Sequence, residues 1–391
     1  MRPKIMFLIT EDRFLWSHRL PIARAALQRG YEVVIITRVM GDAQKILDEG
    51  FRLIPLQLKR GSYNPLRDLR AILKLRRIYE QEKPAIVHHV ALKPVLYGTI
   101  AALGLNDIRV VNALTGLGYL VASNTAKARL LRPAILSLLN FLLNRPNQCV
   151  LLQNDEDKHY LCTVLRVAPE RIAIIRGSGV DIHLFKPSSE PEGVPIVLFA
   201  SRMLWIKGIR EFVEVAKVLR SKGTMARFVI VGDSDFGSPS SVPRERLNEW
   251  QKSREVECWG HRHDMSLVLS QASIVCLPSH GGEGVPKTLL EAAASGRAIV
   301  ATDVPGCRDI VYQDVNGKLV EPKNVLALGA AIEELLKDRA KRQVMGERGR
   351  EIAVGNFSEA RVVGDTLNLY SELLKSALLP SFAAPRATGK I

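Results

Sequence analysis

Short apolar runs rich in β-branched residues recur along the chain, and most are followed by a turn and a segment with helical periodicity. These runs predict strands at residues 4–10, 31–38, 85–89, 110–119, 150–154, 172–175, 196–200, 228–233, 256–260 and 272–278. Helical patterns follow at residues 20–29, 97–104, 127–145, 155–165, 324–336 and 357–375. Buried strands that alternate with helices are typical of parallel sheets, so the pattern predicts an α/β protein.

The length of 391 residues predicts two domains, each large enough for its own core. A polar, proline-bearing stretch at residues 188–195 is typical of a domain boundary. We therefore expect a first domain at residues 1–187, a second at 188–355 and a terminal helix within 356–378. We expect the tail, residues 379–391, to be disordered.

One loop carries the clearest chemical signal. After the apolar run 272–278, three glycines (Gly281, Gly282 and Gly284) precede a helical segment that closes at Gly296. Pro286 suits a first helical turn, where its missing N–H costs nothing. The amides of a turn beginning near Val285 then form an anion site that the helix dipole strengthens. The sequence predicts a phosphate-binding loop here.

Two carboxylates flank this helix start. Glu283 lies in the loop, whereas Glu291 lies about one turn inside a helix of leucines and alanines. A buried glutamate needs a partner, and sugar hydroxyls or a neighbouring arginine both meet that need. Glu283 has the alternative role of capping the helix. Spacing alone leaves these interpretations open.

The stretch PSHGGEGVPKTLLEAAASG, with its two glutamates separated by seven residues, resembles the donor-site signature of retaining glycosyltransferase family 4. The likeness continues through residues 316–320. That family has the GT-B fold, in which two Rossmann-like, doubly wound parallel-sheet domains face a cleft and a C-terminal helix returns to the first domain. The resemblance implies an enzyme that transfers a sugar from a nucleoside diphosphate sugar, with UDP as the commonest carrier, to a hydroxyl.

The same resemblance implies the roles of the donor site. Glu283 is expected to act as a catalytic residue that holds hydroxyls of the donor sugar, and Glu291 to hold the ribose hydroxyls. Arg202 and Lys207, five apart after a predicted strand, are expected to bind the diphosphate. The remaining donor-binding candidates are Gly284, Val285, Pro286, Lys287, Thr288, Leu289 and, beside the nucleotide base, Arg262.

Paired histidines end the predicted strand 85–89. The resemblance assigns His88 to the catalytic site, beside the donor sugar, because it matches the first histidine of the frequent H-x-H pattern. Val90 stands where the second histidine is expected, so His89 stays an alternative. A purely structural role is open for either ring.

Positive charge is concentrated in the first half of the chain. The net charge is +15, and residues 1–190 carry twelve of those excess charges. Basic residues recur on one predicted helix at Arg67, Arg70, Lys74, Arg76 and Arg77. The leucine-rich, basic segment 127–145 predicts either a membrane-interface helix or a helix of the first domain's core. An anionic membrane surface and a merely solvated face both stay open, and no nucleic-acid motif accompanies the charge.

Residues 110–119 resemble a segment of family members that build glycans on lipid carriers, which implies a lipid-diphosphate-linked saccharide as acceptor. Five cysteines without metal spacing indicate free thiols in the cytoplasm, and no apolar run is long enough to span a membrane. We expect no metal and no cofactor. The alternatives are another GT-B enzyme, such as a sugar-nucleotide epimerase or a phosphorylase, and a non-catalytic binding subunit.

Overall fold

The computed structural model describes residues 2–58, 64–116, 126–235, 238, 240–282 and 284–375, without the side chains of 126–129 and 131. It divides the chain into two compact units. Unit 1 comprises Met1–Arg176 and Val362–Ile391, and unit 2 comprises Gly177–Arg361.

Unit 1 contains a parallel sheet of seven strands in the order β3-β2-β1-β4-β5-β6-β7. The strands are β1 Lys4–Glu11, β2 Glu32–Arg38, β3 Arg52–Pro55, β4 Ile86–Val90, β5 Arg109–Ala113, β6 Gln148–Leu152 and β7 Ile172–Ile174. Its helices are α1 Leu20–Gln28, α2 Ala43–Asp48, α3 Pro65–Glu82, α4 Leu92–Ala101, α5 Ala126–Leu143 and α6 Asp155–Val164. The strand order reverses between β1 and β4, which is where ligands bind in open α/β sheets.

Both faces of this sheet are covered, as the continuously apolar strands predict. Along β1, Phe7 belongs to a core that includes α1, whereas Met6 and Leu8 belong to a core that includes α3. Successive side chains of a strand point to opposite faces, so one strand serves both cores.

Unit 2 repeats the plan with six parallel strands in the order β10-β9-β8-β11-β12-β13. They are β8 Ile196–Ala200, β9 Arg227–Val231, β10 Glu257–Cys258, β11 Ile274–Leu277, β12 Ala298–Thr302 and β13 Gly317–Val320. Its helices are α7 Ile209–Ser221, α8 Arg244–Lys252, α9 Met265–Ser270, α10 Lys287–Ala294, α11 Pro305–Arg308, α12 Val325–Lys337 and α13 Arg339–Phe357. The switch point lies between β8 and β11.

The unit boundaries differ from the predicted domain boundaries at 187 and 355. Val180 and Phe185 are buried in the core of unit 2, and Val180 exchanges backbone hydrogen bonds with Phe357 and Glu359. Unit 2 therefore begins at Gly177, before the polar stretch. The last described helix, α14 Glu359–Lys375, enters the core of unit 1 from Val362 onward, through residues that include Leu367 and Tyr370.

Two helix starts differ from their predicted positions because of proline. The helix predicted at 97–104 begins at Leu92, since Pro94 lies inside its first turn, where no N–H is needed. Conversely, Pro286 is the cap residue with extended backbone, and α10 begins one residue later at Lys287. The predicted helix at 127–145 is α5, with Pro133 inside it.

A buried polar network fixes α4 on the sheet of unit 1. The His89 ring contacts Asn112 Oδ1 through Nδ1 (2.8 Å) and the Tyr79 hydroxyl through Nε2 (3.0 Å). Asn112 also accepts a hydrogen bond from Thr99 and donates one to Gln148. Gly98 of α4 lies against this ring, and a Cβ there would stand 2.3 Å from Nε2.

We predict that Gly98→Ala destabilises the protein by about 2 kcal/mol, although alanine is the better helix former. The ring cannot retreat without breaking its hydrogen bonds. The matched control is Gly364→Ala in α14, where a Cβ meets no atom within 4 Å and about 0.5–1 kcal/mol of stabilisation is expected. Chemical denaturation measures both, and equal stabilisation by the two substitutions would contradict the packing argument.

Candidate functional site

Two loops meet at the carboxyl ends of the neighbouring strands β8 and β11. The first follows Ala200 and the second follows Leu277. Across the junction, the His280 amide donates to the Ile206 carbonyl (2.8 Å), and the Thr288 hydroxyl donates to the Ala200 carbonyl (2.9 Å). The loops therefore form one structural block at the switch point of unit 2.

Gly208 makes this contact possible. Its φ is +78°, and a Cβ would lie 1.9 Å from the Pro278 carbonyl oxygen. A side chain would thus be excluded by both backbone conformation and space. Gly281 and Gly282 also have left-handed backbones, with φ of +109° and +79°, as the glycine-rich loop predicts.

Helix α10 starts at this block. Its cap residue, Pro286, provides no side-chain hydrogen bond to the amides of the first turn. The predicted donor residues Gly284, Val285, Pro286, Lys287, Thr288 and Leu289 all lie around this start. The dipole and first-turn amides of a helix favour an anion at such a position.

Two predicted cations lie in the first loop. The Arg202 guanidinium donates to Asp235 Oδ2 (2.7 Å), and this aspartate is buried. Asp235 therefore orients the Arg202 guanidinium through one of its five N–H groups. Lys207 ends a short 3₁₀ turn, Trp205–Lys207, directly before Gly208.

Glu291 lies in the middle of α10, where Leu290 and Ala292 beside it are fully buried. The residue is half-buried, and burial raises the pKa of its carboxyl to about 7, with Lys287 one turn earlier opposing the shift. Among the described residues, no ion pair to an arginine is present at Glu291. The structure therefore gives no support to the interpretation that Glu291 is paired with a neighbouring arginine. Glu283 lies outside the described residues.

A further pair was not predicted from the sequence. Glu211, on the first turn of α7, is buried and contacts His280 Nε2 through Oε1 at 3.0 Å. Burial alone would raise the pKa of Glu211, but the hydrogen bond and the charges of His280 and Arg210 outweigh it and hold that pKa below its usual value. Because His280 directly precedes Gly281, the pair anchors the glycine loop to α7.

Arg262 lies on the turn after β10, where it forms a two-pronged ion pair with Asp264 (2.7 and 2.5 Å). The Arg262 and Asp264 side chains are 36% and 44% exposed. The expected role of Arg262 beside a nucleotide base stays a prediction. The neighbouring His261 and His263 rings stack edge to face, and the described residues contain no group of three or more side chains placed to hold a metal ion.

In unit 1, the two adjacent histidines point to opposite faces of the sheet. His89 faces α3 and α4, where both ring nitrogens are hydrogen-bonded and burial lowers its pKa to about 4. His88 faces α14, stacks on Phe7 and contacts the Tyr370 hydroxyl through Nδ1 (2.5 Å). Its Nε2 is buried and has no hydrogen-bond partner among the described residues. Of these two rings, His88 is the one with a nitrogen that has no hydrogen-bond partner among the described residues.

Arg19 is the charged residue with the largest effect on the pKa of His88. It ends a π-helical turn, Leu15–Arg19, after β1, and it is buried with its Nε unpartnered among the described residues. Burial, and then the Arg19 charge, hold the pKa of His88 well below its usual value. Both effects favour the neutral form of the His88 imidazole.

Solved structures have the same architecture. Over 96% of this chain and 100% of its own, a sucrose-phosphate synthase from Thermosynechococcus elongatus superposes with a TM-score of 0.79 at 21% identity. Two parallel-sheet, Rossmann-like units with this likeness define the GT-B fold.

Family models give the class. "Glycosyl transferase 4-like" matches residues 4–154, and "Glycosyl transferases group 1" matches residues 194–338, about three quarters of the chain together. The chain belongs to the glycosyltransferases of the GT-B fold, as the donor-loop signature predicted. The epimerase and binding-subunit alternatives find no support.

Two curated relatives align along most of their length. The "N,N'-diacetylbacillosaminyl-diphospho-undecaprenol alpha-1,3-N-acetylgalactosaminyltransferase" of Campylobacter jejuni is 29% identical over 95% of this chain and 100% of its own. The "UDP-Gal:alpha-D-GlcNAc-diphosphoundecaprenol alpha-1,3-galactosyltransferase" of Escherichia coli is 22% identical over 88% of this chain and 90% of its own.

We predict that Glu211→Gln lowers kcat/KM for sugar transfer about tenfold, because a loosened His280 misplaces the glycine loop. The matched control is Glu214→Gln, an exposed residue of the same helix, which should leave the rate unchanged. In a double-mutant cycle, adding His280→Asn to Glu211→Gln should cause little further loss. Additive losses would show that the two side chains act independently.

Proposed function

We propose that this glycosyltransferase moves a sugar from a UDP-sugar to a hydroxyl of a saccharide carried on a lipid diphosphate, in the biosynthesis of a surface polysaccharide or related glycan. The observation that carries the proposal is the block of two loops and a helix start at the switch point of unit 2. Hydrogen bonds between the two loops hold the segment that carries Arg202 and Lys207 against the segment from which α10 starts.

The charges of this block suit a diphosphate. Arg202, held by Asp235, offers forked hydrogen bonds, and Lys207 and Lys287 add point charges. The start of α10 contributes its amides and dipole. These groups would stabilise the negative charge that grows on the leaving diphosphate, and we propose that no metal or other cofactor is required.

The remaining donor contacts divide between two glutamates. Glu291 would accept hydrogen bonds from the ribose hydroxyls, and Glu283 would accept them from the transferred sugar. From unit 1, the uncommitted Nε2 of neutral His88 would accept a hydroxyl hydrogen bond. Arg262 would lie beside the base.

The proposed reaction proceeds with retention of configuration. The bond between the anomeric carbon and the diphosphate oxygen breaks, and the diphosphate leaves with the electron pair. The acceptor oxygen bonds to the anomeric carbon on the same face, and its proton passes to the departing diphosphate. We assign no covalent nucleophile among the described residues. In this mechanism the protein positions the two substrates and stabilises the developing charge.

Further observations support the proposed acceptor and the proposed cellular location. Both named relatives are described as acting on sugars linked to undecaprenol through a diphosphate. All five cysteines are free thiols, as expected in the reducing cytoplasm. None of the helices in the described part of the chain is long and apolar enough to cross a membrane. We therefore propose a peripheral enzyme on the cytoplasmic face of the membrane, with unit 1 toward the lipid.

The first test is nucleotide release from UDP-, GDP-, ADP- and dTDP-sugars, with and without a water-soluble, short-chain lipid-diphosphate sugar. We expect acceptor-dependent release from a UDP-sugar, unchanged by EDTA. Release from another nucleotide sugar alone would correct the base, and a requirement for added divalent metal would overturn the metal-independent mechanism. Release at the same rate without the acceptor would be hydrolysis, in which the sugar passes to water, and would contradict transfer to this saccharide.

The raised pKa of Glu291 gives a second test. Ribose hydroxyls favour the carboxylate, so donor affinity should fall up to about tenfold for each pH unit below 7, down to the pKa of the complex. A UDP-sugar is the right probe, because its diphosphate diester does not titrate in this range. Glu291→Gln should bind weakly and without this pH dependence.

Stability should move in the opposite sense. The carboxyl titrates higher in the folded protein than in the unfolded chain, so its contribution is present when protonated and is lost as pH rises from about 4.5 to 7. Glu291→Gln should therefore unfold at a higher temperature than the unmodified protein at pH 8 and at a similar temperature at pH 4.5. An equal difference at both pH values would refute the burial argument.

A further inference from the structure

Helix α3 has two apolar faces. Ala71, Leu75, Ile78 and Tyr79 are buried against the sheet of unit 1. On the opposite side, Leu66, Leu69 and Leu73 are 71%, 53% and 51% exposed. The three leucines are three and four residues apart and so form a stripe along the outside of the helix. A helix needs only one such face for its core.

Cations stand beside this stripe. Arg70, Lys74 and Arg77 are exposed on the same side of α3, and among the described residues none of them is ion-paired. The helix's acids are mostly compensated: Asp68 contacts Lys93, and Glu80 contacts Arg76. The outward face therefore combines three leucines with three uncompensated positive charges.

A second outward apolar face lies on α5. Leu138 and Phe141 are exposed, and the Arg145 guanidinium lies over the Phe141 ring, 4.0 Å from its centroid. Helices α3 and α5 both pack on α4, on one side of the sheet in unit 1. Their outer faces thus point away from the same side of that sheet.

The composition of these faces selects among partners. Nucleic acid would pair with the cations but would leave the leucines in water. A second copy of the chain would bring two positive faces together. An anionic lipid surface satisfies both features, because leucines enter the acyl boundary while long basic side chains reach headgroup phosphates. The charge of the units agrees: basic residues exceed acidic ones by fourteen in unit 1 and by one in unit 2.

We propose that the outward face of α3, together with that of α5 on the same side of the sheet, is the surface through which unit 1 rests on anionic membrane lipid. This inference deepens the proposed function, because it identifies the part of the chain that would bring the enzyme to a lipid-linked acceptor. It also resolves the two interpretations of the leucine-rich helix: α5 contributes Leu139 and Leu143 to the core and Leu138 and Phe141 to the surface.

The experiment is flotation of the full chain with vesicles of phosphatidylglycerol and phosphatidylcholine. We expect binding to the anionic vesicles only, weakened by salt. The triple variant Leu66→Ser/Leu69→Ser/Leu73→Ser should bind at least tenfold more weakly, and Arg70→Gln/Lys74→Gln/Arg77→Gln roughly a hundredfold. The matched control is Met225→Ser/Leu326→Ser/Val344→Ser, which removes side chains that are 75%, 81% and 57% exposed in unit 2 and should bind normally.

Transfer to a water-soluble acceptor provides the independent readout and should be equal in all of these variants. Vesicle binding by the α3 variants at the unmodified level would overturn the proposal. A leucine-dependent dimer in lipid-free sedimentation would also overturn it, by showing that a second copy covers the face. Vesicle binding without transfer to any acceptor would leave the surface standing and contradict the proposed function.

Discussion

The close approach of Gly208 to the Pro278 carbonyl is the contact on which the block of two loops at the switch point of unit 2 depends. It brings the loop after β8 against the loop after β11, and the His280–Ile206 and Thr288–Ala200 hydrogen bonds then hold the two together. Parallel strands deliver both loops to one edge, but the sheet alone would leave them apart. A left-handed residue without a Cβ lets the backbones touch, so that cations on one loop lie near a helix start on the other.

A second constraint operates in unit 1, where strand alternation separates two neighbouring histidines. His89 is fully engaged by Tyr79 and Asn112, and it serves the packing of α4. His88 points to the other face and keeps one ring nitrogen uncommitted, with Arg19 favouring its neutral form. Because β4 pairs with β1, Phe7 lies beside His88, and the two rings stack on the same face of the sheet.

Much of this architecture was predictable, because buried parallel strands are apolar runs and the glycine loop has a fixed order of residues. What the sequence could not supply were contacts between distant segments. Asp235 orients Arg202 from 33 positions away, and Glu211 anchors His280 from 69. Likewise, the apolar periodicity of α3 predicts a helix, but only its packing tells which leucines remain outside. The boundary at Gly177 escaped prediction because Val180 and Phe185 fold into the second core before the polar stretch begins.

The state of Glu291 connects stability with function. Glu291 is half-buried among buried leucines and alanines and has no ion pair among the described residues. Its charged form is therefore unfavourable in the folded protein. A glutamine or an alanine there would pack at lower cost. A donor whose hydroxyls bind the carboxylate would remove this cost of burial. Ligands with paired hydroxyls would therefore bind more tightly than ligands without them. The Nε2 of His88 in unit 1, which is buried and has no hydrogen-bond partner in the described part of the chain, is a second such group. In the roles proposed for them, Glu291 and His88 would each gain a hydrogen-bond partner from a hydroxyl of the substrate.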